Sequence, residues 1–171
     1  MFCGNIVREI VEWNNGELQI TRVGRGAFVA EVAASGALLA WEVSGHLLFK
    51  ELGYIEMPLL ALYYVMKEAE LFESFDQMID HYDHNVWWQV LHFATEDKDG
   101  TIAALAKQYS DYPIITVDGI RVQLPYGRFC VRKSGTEPII KVALEANSVE
   151  NFDLLIAELR NNLKQLGCHE E

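Results

Sequence analysis

Two short stretches hold residue types whose spacing suits binding chemistry. The first is VRKSGTEPII, residues 131–140. Arg132, Ser134, Gly135 and Thr136 stand between two apolar pairs, where a bend between two strands is expected. Two hydroxyl donors and a glycine that lets backbone N–H groups turn inward make an anion nest. The Arg132 guanidinium adds a fork that grips two oxygens of one anion. Several converging donors suit a phosphate monoester better than a carboxylate. The competing reading is an ordinary hairpin with Ser-Gly turn chemistry.

The second stretch is WEVSGH, residues 41–46. Glu42, Ser44 and His46 alternate at the end of an expected strand, so all three can face one way. The end of a parallel strand is where α/β folds bind ligands. A carboxylate there accepts hydrogen bonds from two vicinal hydroxyls, and a histidine serves as a general base or anion ligand. The alternative is a strand-end turn with a capping serine and a solvated Glu and His.

Other stretches carry less. EDKDG, residues 96–100, lacks the alternating ligands and distal glutamate of a calcium loop and reads as a helix N-terminus. HYDHN, residues 81–85, has two histidines and an aspartate but reads as polar linker, and VGRG, residues 23–26, is too short for a dinucleotide fingerprint. VWWQV, residues 86–90, reads as sheet and core rather than a base-stacking platform. Cys3, Cys130 and Cys168 are odd in number and far apart, which indicates neither a disulfide framework nor a zinc knuckle. Cys130 reads as a small buried strand residue.

The elements that position these groups follow from pattern. The chain has 171 residues, half of them hydrophobic, enough for one medium domain or two small ones. Its net charge of -11 argues against general nucleic-acid binding and against an anionic membrane surface, so a phosphate site here has to be local. No apolar run approaches the ~20 residues of a membrane span. No apolar signal core follows a basic start, so a soluble, cytoplasmic protein is expected. Helices are expected over 4–16, 25–37, 57–72, 74–82, 97–110 and 148–167, and strands over 17–24, 38–43, 85–95, 113–133 (as strand, turn, strand) and 137–146. Strand, helix, strand over 17–43 suggests a βαβ unit of a parallel sheet. The fold class expected is therefore α/β plus α+β: a partial α/β piece, then a small antiparallel-sheet domain with two helices.

Together, WEVSGHLLFKE (41–51) and DGIRVQLPYGRFCVRKSGTEP (118–138) resemble the phosphohexomutases, the superfamily of phosphoglucomutase, phosphomannomutase and phosphoglucosamine mutase. The resemblance covers nearly the whole chain: residues 1–82 resemble part of the third domain, and residues 83–171 the fourth, C-terminal domain. It implies that Glu42 and Ser44, with His46 beside them, hold sugar hydroxyls in a G-E-x-S-G-H-like loop. It implies that Arg132, Ser134, Gly135 and Thr136, in R-x-S-[NG]-T-x-P, hold the phosphate that is not reacting. The family reaction moves a phosphoryl group between the 1 and 6 positions of a hexose. The sugar flips between half-reactions, so this distal site must accept either phosphate.

The departures bear on activity. The family's phosphoserine loop, T-A-S-H-N-P-like, and its magnesium loop, D-G-D-x-D-R-like, do not occur in this sequence. Mg2+ is implied by the family, but its ligands are not in this chain, and no residue here is expected to be catalytic. Without them there is no activated phosphoryl group and no charge neutralisation at the transition state. Trp41 replaces the leading glycine of the sugar loop, and YIEMPLLALYY, residues 54–64, replaces an Asp-Gly that often follows it. The resemblance leans toward phosphomannomutase/phosphoglucomutase over phosphoglucosamine mutase. It places residue 1 after the first strand of the third domain, which would expose a sheet edge. The expected partners are a hexose phosphate and a chain carrying the remaining domains. A stand-alone sugar-phosphate binding module and a non-catalytic remnant are the alternatives.

Overall fold

The structure is a computed structural model and describes residues 4–42, 44–82 and 87–171. It divides into two compact units, Met1–His84 and Asn85–Glu171. The junction expected at residues 82/83 and most of HYDHN lie outside the described residues, as does Cys3.

In the first unit, α1 (Asn5–Trp13) ends where Asn15 takes a positive φ of 57° and Gly16 N–H donates to Val11 O at 2.8 Å. α2 (Arg25–Ser35) stops at Gly36, whose φ of 69° is the left-handed stop that glycine supplies without strain. Three short strands follow: β1 (Leu39–Trp41), β2 (Leu47–Phe49) and β3 (Ile55–Glu56), with a 3-10 turn at Lys50–Leu52. They form an antiparallel sheet in the order β1-β2-β3. Phe28 and Val32 of α2 pack on Ala40 and Leu48, and this is the unit's core. α3 (Pro58–Ala69) begins with proline in its first turn, where no N–H is needed. α4 (Phe75–Tyr82) is capped by Ser74, whose Oγ accepts from Gln77 N–H at 3.2 Å.

The mixed helix-and-strand class is as expected, but the parallel βαβ pairing is not formed. Residues 17–22 form no strand and have no ladder with β1 among the described residues, although Leu18 and Ile20 line one pocket together with Leu39 and Ala40. Alternation makes a strand only where a neighbouring strand takes up its backbone groups. β1 instead finds its partner in β2, through a hairpin that the strand-end reading of WEVSGH did not anticipate.

The second unit is built on a six-stranded antiparallel sheet in the order β5-β6-β7-β8-β4-β9. Its elements are β4 (Trp87–Ala94), α5 (Lys98–Gln108), β5 (Ile114–Ile115), β6 (Ile120–Leu124), β7 (Gly127–Lys133), β8 (Ile139–Ala146), α6 (Val149–Gln165) and β9 (His169–Glu170). Period-two alternation puts Val122, Phe129, Val131, Val142 and Leu144 on one face, against Leu105 of α5 and Leu155, Leu159 and Leu163 of α6. The other face carries Arg121, Arg128, Arg132, Lys141 and Glu145. Both α5 and α6 start on side-chain caps, Asp97 accepting from Gly100 N–H and Ser148 from Asn151 N–H. Cys130 is buried, as its pattern predicted. β9 escaped the sequence reading because two polar residues carry no strand signal. It is held on β4 by pairing and on α6 by Arg160, which donates to both Glu170 oxygens at 2.7 and 2.8 Å. Among the described residues no helix is long and apolar enough to cross a membrane.

Candidate functional site

The loop after β7 is the better-built of the two candidates. Ser134 N–H donates to Ile139 O at 2.9 Å and closes the loop onto β8. Ser134 is buried, and its Oγ accepts from Glu137 N–H at 3.2 Å and Thr136 N–H at 3.4 Å. The serine hydroxyl thus organises the loop from inside. Lys98, at the first turn of α5, clamps the loop by donating from Nζ to Ser134 O and Glu137 O, both at 2.9 Å. Sequence reasoning missed Lys98. Its only signal was its place in EDKDG, which was read as a helix start.

Gly135 differs from its expected role. Its φ lies outside the left-handed region, and a Cβ there would meet nothing within 4 Å. The loop does not need glycine to bend. What glycine leaves is open space above the backbone.

Arg132 ends β7 beside the loop, with Nη2 3.3 Å from Asp118 Oδ2, each side chain about one-fifth exposed. Asp118 belongs to the turn before β6. That turn lies hard against β7: a Cβ on Gly119 would come within 2.0 Å of Val131 O, and Gly119 has a φ of 85°. Only glycine fits there. The Asp118-Gly119 pair, expected as turn chemistry, is also what sets an acidic partner on Arg132. Lys141 stands directly opposite Arg132 in the β7–β8 register, and His92 opposite Lys141 in the β4–β8 register. Directly opposed residues share a face, so two further nitrogen-bearing side chains flank Arg132. Lys133, on the other face, pairs with Asp99 at 2.7 Å.

Deeper on the same face, Arg128 and Glu145 form a buried ion pair across β7 and β8. Burial pushes the Arg128 pKa down, and the neighbouring Arg121 charge adds to this. Glu145 works against both.

In the first unit, Glu42, Ser44 and His46 lie in the hairpin turn between β1 and β2. Glu42 N–H donates to His46 O, and Gly45 N–H to Glu42 O, both at 2.9 Å. The Glu42 carboxylate accepts from Gly24 N–H at 3.4 Å, at the N-terminus of α2, where a negative charge is favoured. His46 Nδ1 lies 3.0 Å from Glu56 Oε1 on β3. Ser44 is exposed, and residue 43 lies outside the described residues. Trp41 is half-buried in β1 and lines the cavity beside it.

Among the described residues no group of three or more His, Cys, Asp or Glu is placed to hold a metal ion. The described residues thus supply no ligand set of the kind that the magnesium implied by the resemblance would need.

Two mixed units of this topology, the second a six-stranded antiparallel sheet under two helices, define the architecture with which known proteins can be compared. The family model described as phosphoglucomutase/phosphomannomutase, alpha/beta/alpha domain III, matches residues 1–84, and the model for the phosphoglucomutase/phosphomannomutase C-terminal domain matches residues 92–162. The chain belongs to this phosphohexomutase family and matches its C-terminal portion. It is 29% identical over 170 residues to a phosphomannomutase of Methanocaldococcus jannaschii, covering 97% of this chain and 37% of that protein. It is 30% identical over 174 residues to a phosphomannomutase/phosphoglucomutase of Pseudomonas aeruginosa, covering 95% of this chain and 36% of that protein. The crystal structure of a phosphoglucomutase/phosphomannomutase family protein from Burkholderia thailandensis shares the fold, with a TM-score of 0.78 at 23% identity, over 95% of this chain and 37% of that one. The chain thus spans little more than a third of the length of these relatives.

Proposed function

We propose that this chain supplies the sugar- and phosphate-holding portion of a phosphomannomutase/phosphoglucomutase-type activity that interconverts hexose 1- and 6-phosphates. The turn at Glu42, Ser44 and His46 takes the sugar hydroxyls. Arg132, Ser134, Gly135 and Thr136 take the non-reacting phosphate. The observation that carries this reading is the β7–β8 loop, which is pinned from inside by Ser134 and from outside by Lys98, and flanked by Arg132 and Lys141. A pre-shaped loop loses little entropy on binding, and a local cluster of cations offsets the repulsion of an acidic chain.

Turnover is assigned to the family's phosphoserine and metal loops, neither of which occurs in these 171 residues. The proposed boundary between the sugar-holding and phosphate-holding portions stands at residues 82/83.

The test is an amide NMR titration of the full chain with mannose 1-phosphate and glucose 6-phosphate, repeated with Arg132→Ala. Shifts at Ser134, Gly135 and Thr136, at least tenfold weaker in the variant, are expected. A folded spectrum that ignores both sugar phosphates at millimolar levels overturns the reading. It would then favour the remnant alternative, in which Ser134 spends its hydroxyl on the loop itself.

A further inference from the structure

The chain leaves α1 through Asn14-Asn15-Gly16. Asn15 N–H donates to Glu12 O at 2.9 Å and Gly16 N–H to Val11 O at 2.8 Å. These are the two bonds of a Schellman motif. The motif dictates its residues. Asn15 takes a φ of 57°, a left-handed backbone that asparagine tolerates better than most side chains. A Cβ on residue 16 would meet Val11 Cγ1 at 2.9 Å and Val11 O at 3.0 Å, so the cap favours glycine there.

The pair that suits the cap also suits a reaction. In Asn-Gly the glycine nitrogen reaches the asparagine carboxamide carbon with no side chain on the following residue in its way. The two asparagines differ in freedom. Asn14 Nδ2 donates to Ile10 O at 2.8 Å, whereas the Asn15 side chain is exposed and makes no hydrogen bond among the described residues.

The bond from Gly16 N–H to Val11 O holds the reaction back, because the nitrogen must be released and lose its proton before it attacks. Release means fraying of α1, and α1 is weakly held. It has nine residues, and isolated helices below ~12–15 residues are marginal. Its N-cap is Gly4, which has no side chain to accept a bond, and its last turn carries no basic residue. None of its residues is buried.

We propose that Asn15-Gly16 is a site of spontaneous deamidation gated by the fraying of α1. Gly16 N loses its proton and attacks Asn15 Cγ. A bond forms between Gly16 N and Asn15 Cγ, the Cγ–Nδ2 bond breaks, and Nδ2 leaves with a proton as ammonia. The succinimide ring that results is opened by water. Breaking the bond from Gly16 N to Cγ gives aspartate. Breaking the bond from Gly16 N to the Asn15 carbonyl carbon gives isoaspartate, with the chain now running through the side chain. The balance is a water consumed and an ammonia released, with no oxidant or reductant. Either product sets a carboxylate at the C-terminal end of α1, close in sequence to Glu12 and Glu17, where the helix dipole disfavours it. Isoaspartate also lengthens the backbone between the two cap bonds, so the motif does not re-form. Deamidation therefore loosens α1 irreversibly. The proposal concerns the first unit alone and does not depend on phosphate binding at the β7–β8 loop.

The test keeps the full chain warm at neutral pH and follows it by peptide mass spectrometry, with isoaspartate told from aspartate by enzymatic methylation. Asn15 should convert faster than Asn14 by an order of magnitude or more. Gly4 has a φ of -59°, which any residue adopts, so Gly4→Asp supplies the N-cap acceptor, steadies α1 and should slow conversion about fivefold. Conversion of Asn15 no faster than that of Asn14 overturns the site. Equal rates in the parent and in Gly4→Asp, with helix content raised in the variant, overturn the gating. If Gly4→Asp fails to fold, amide exchange at Gly16 in the parent decides. Exchange within about tenfold of that in the guanidinium-unfolded chain supports fraying, and protection equal to that of the β7 amides overturns it.

Discussion

Ser134 and Gly135 are neighbours, yet the loop asks opposite things of them. Ser134 accepts two loop N–H groups and is buried. Gly135 contributes neither a left-handed φ nor a tight fit. The contrast with Gly119 gives a direct test. Gly119→Ala forces a Cβ into Val131 O and into a left-handed backbone, which costs about 1–2 kcal/mol before the overlap is counted. At about 4–8 °C per kcal/mol for a domain of this size, melting of the second unit should fall by 5 °C or more, in about that proportion. Gly135→Ala should leave melting within about 0.5 kcal/mol of the parent. If phosphate approaches the loop backbone, the same methyl group should weaken glucose 6-phosphate binding several-fold. Calorimetric melting and one binding titration on both variants check the pair. A large loss of stability in Gly135→Ala would show that its glycine is structural after all.

At the scale of elements, Lys98 couples α5 to the β7–β8 loop. Lys98→Met keeps the length of the stem and removes two charge-assisted bonds to carbonyls, a group whose members are worth about 1.5–3 kcal/mol each at most and less at a partly exposed site. Amide exchange at Ser134–Glu137 should quicken by roughly tenfold, about 1.4 kcal/mol, while the exchange of β6 and β8 stays unchanged. A second element-level effect concerns α5 and α6. Tyr109 donates to Glu158 at 2.6 Å and accepts from Asn162 at 2.9 Å. Burial, and then the bond to Glu158, push its pKa well above the ordinary tyrosine value. The sign follows: the fold holds the proton that the unfolded chain releases near pH 10. This contribution is fully present below pH 10 and is lost as pH rises toward the folded-state pKa. Urea unfolding of the second unit should therefore show stability falling above pH 10, and Tyr109→Phe should flatten that slope while costing some stability at neutral pH.

The elements of the second unit were legible in the sequence because each carries its own signal: alternation in β6–β8, Ser148 at the start of α6, Asp-Gly at a turn. The site was legible as residue types but not as a network. Lys98 and Lys141 reach Arg132 and its loop through tertiary register, which spacing along the chain cannot reveal. The parallel pairing of residues 17–22 failed for the same kind of reason. ELQIT alternates well enough for a strand, but a strand exists only with a neighbour, and among the described residues none pairs with it.

For the molecule as a whole, the two units differ in how much they bury. The core of the second unit is a continuous layer from Leu91 to Leu163, with many side chains fully enclosed. The first unit gathers Phe28, Val32, Ala40 and Leu48, while Leu59, Leu62, Tyr63 and Met66 of its apolar helix α3 are more than half exposed. Burial of apolar surface is the main favourable term in folding, so local stability should follow it. Native-state exchange in rising urea should open the amides of α2, β1 and β2 well before those of β7 and β8. The first group should open through a sub-global step, and the second only with global unfolding. One coincident transition for both groups of amides would mean that the first unit draws its stability from elsewhere than its own core.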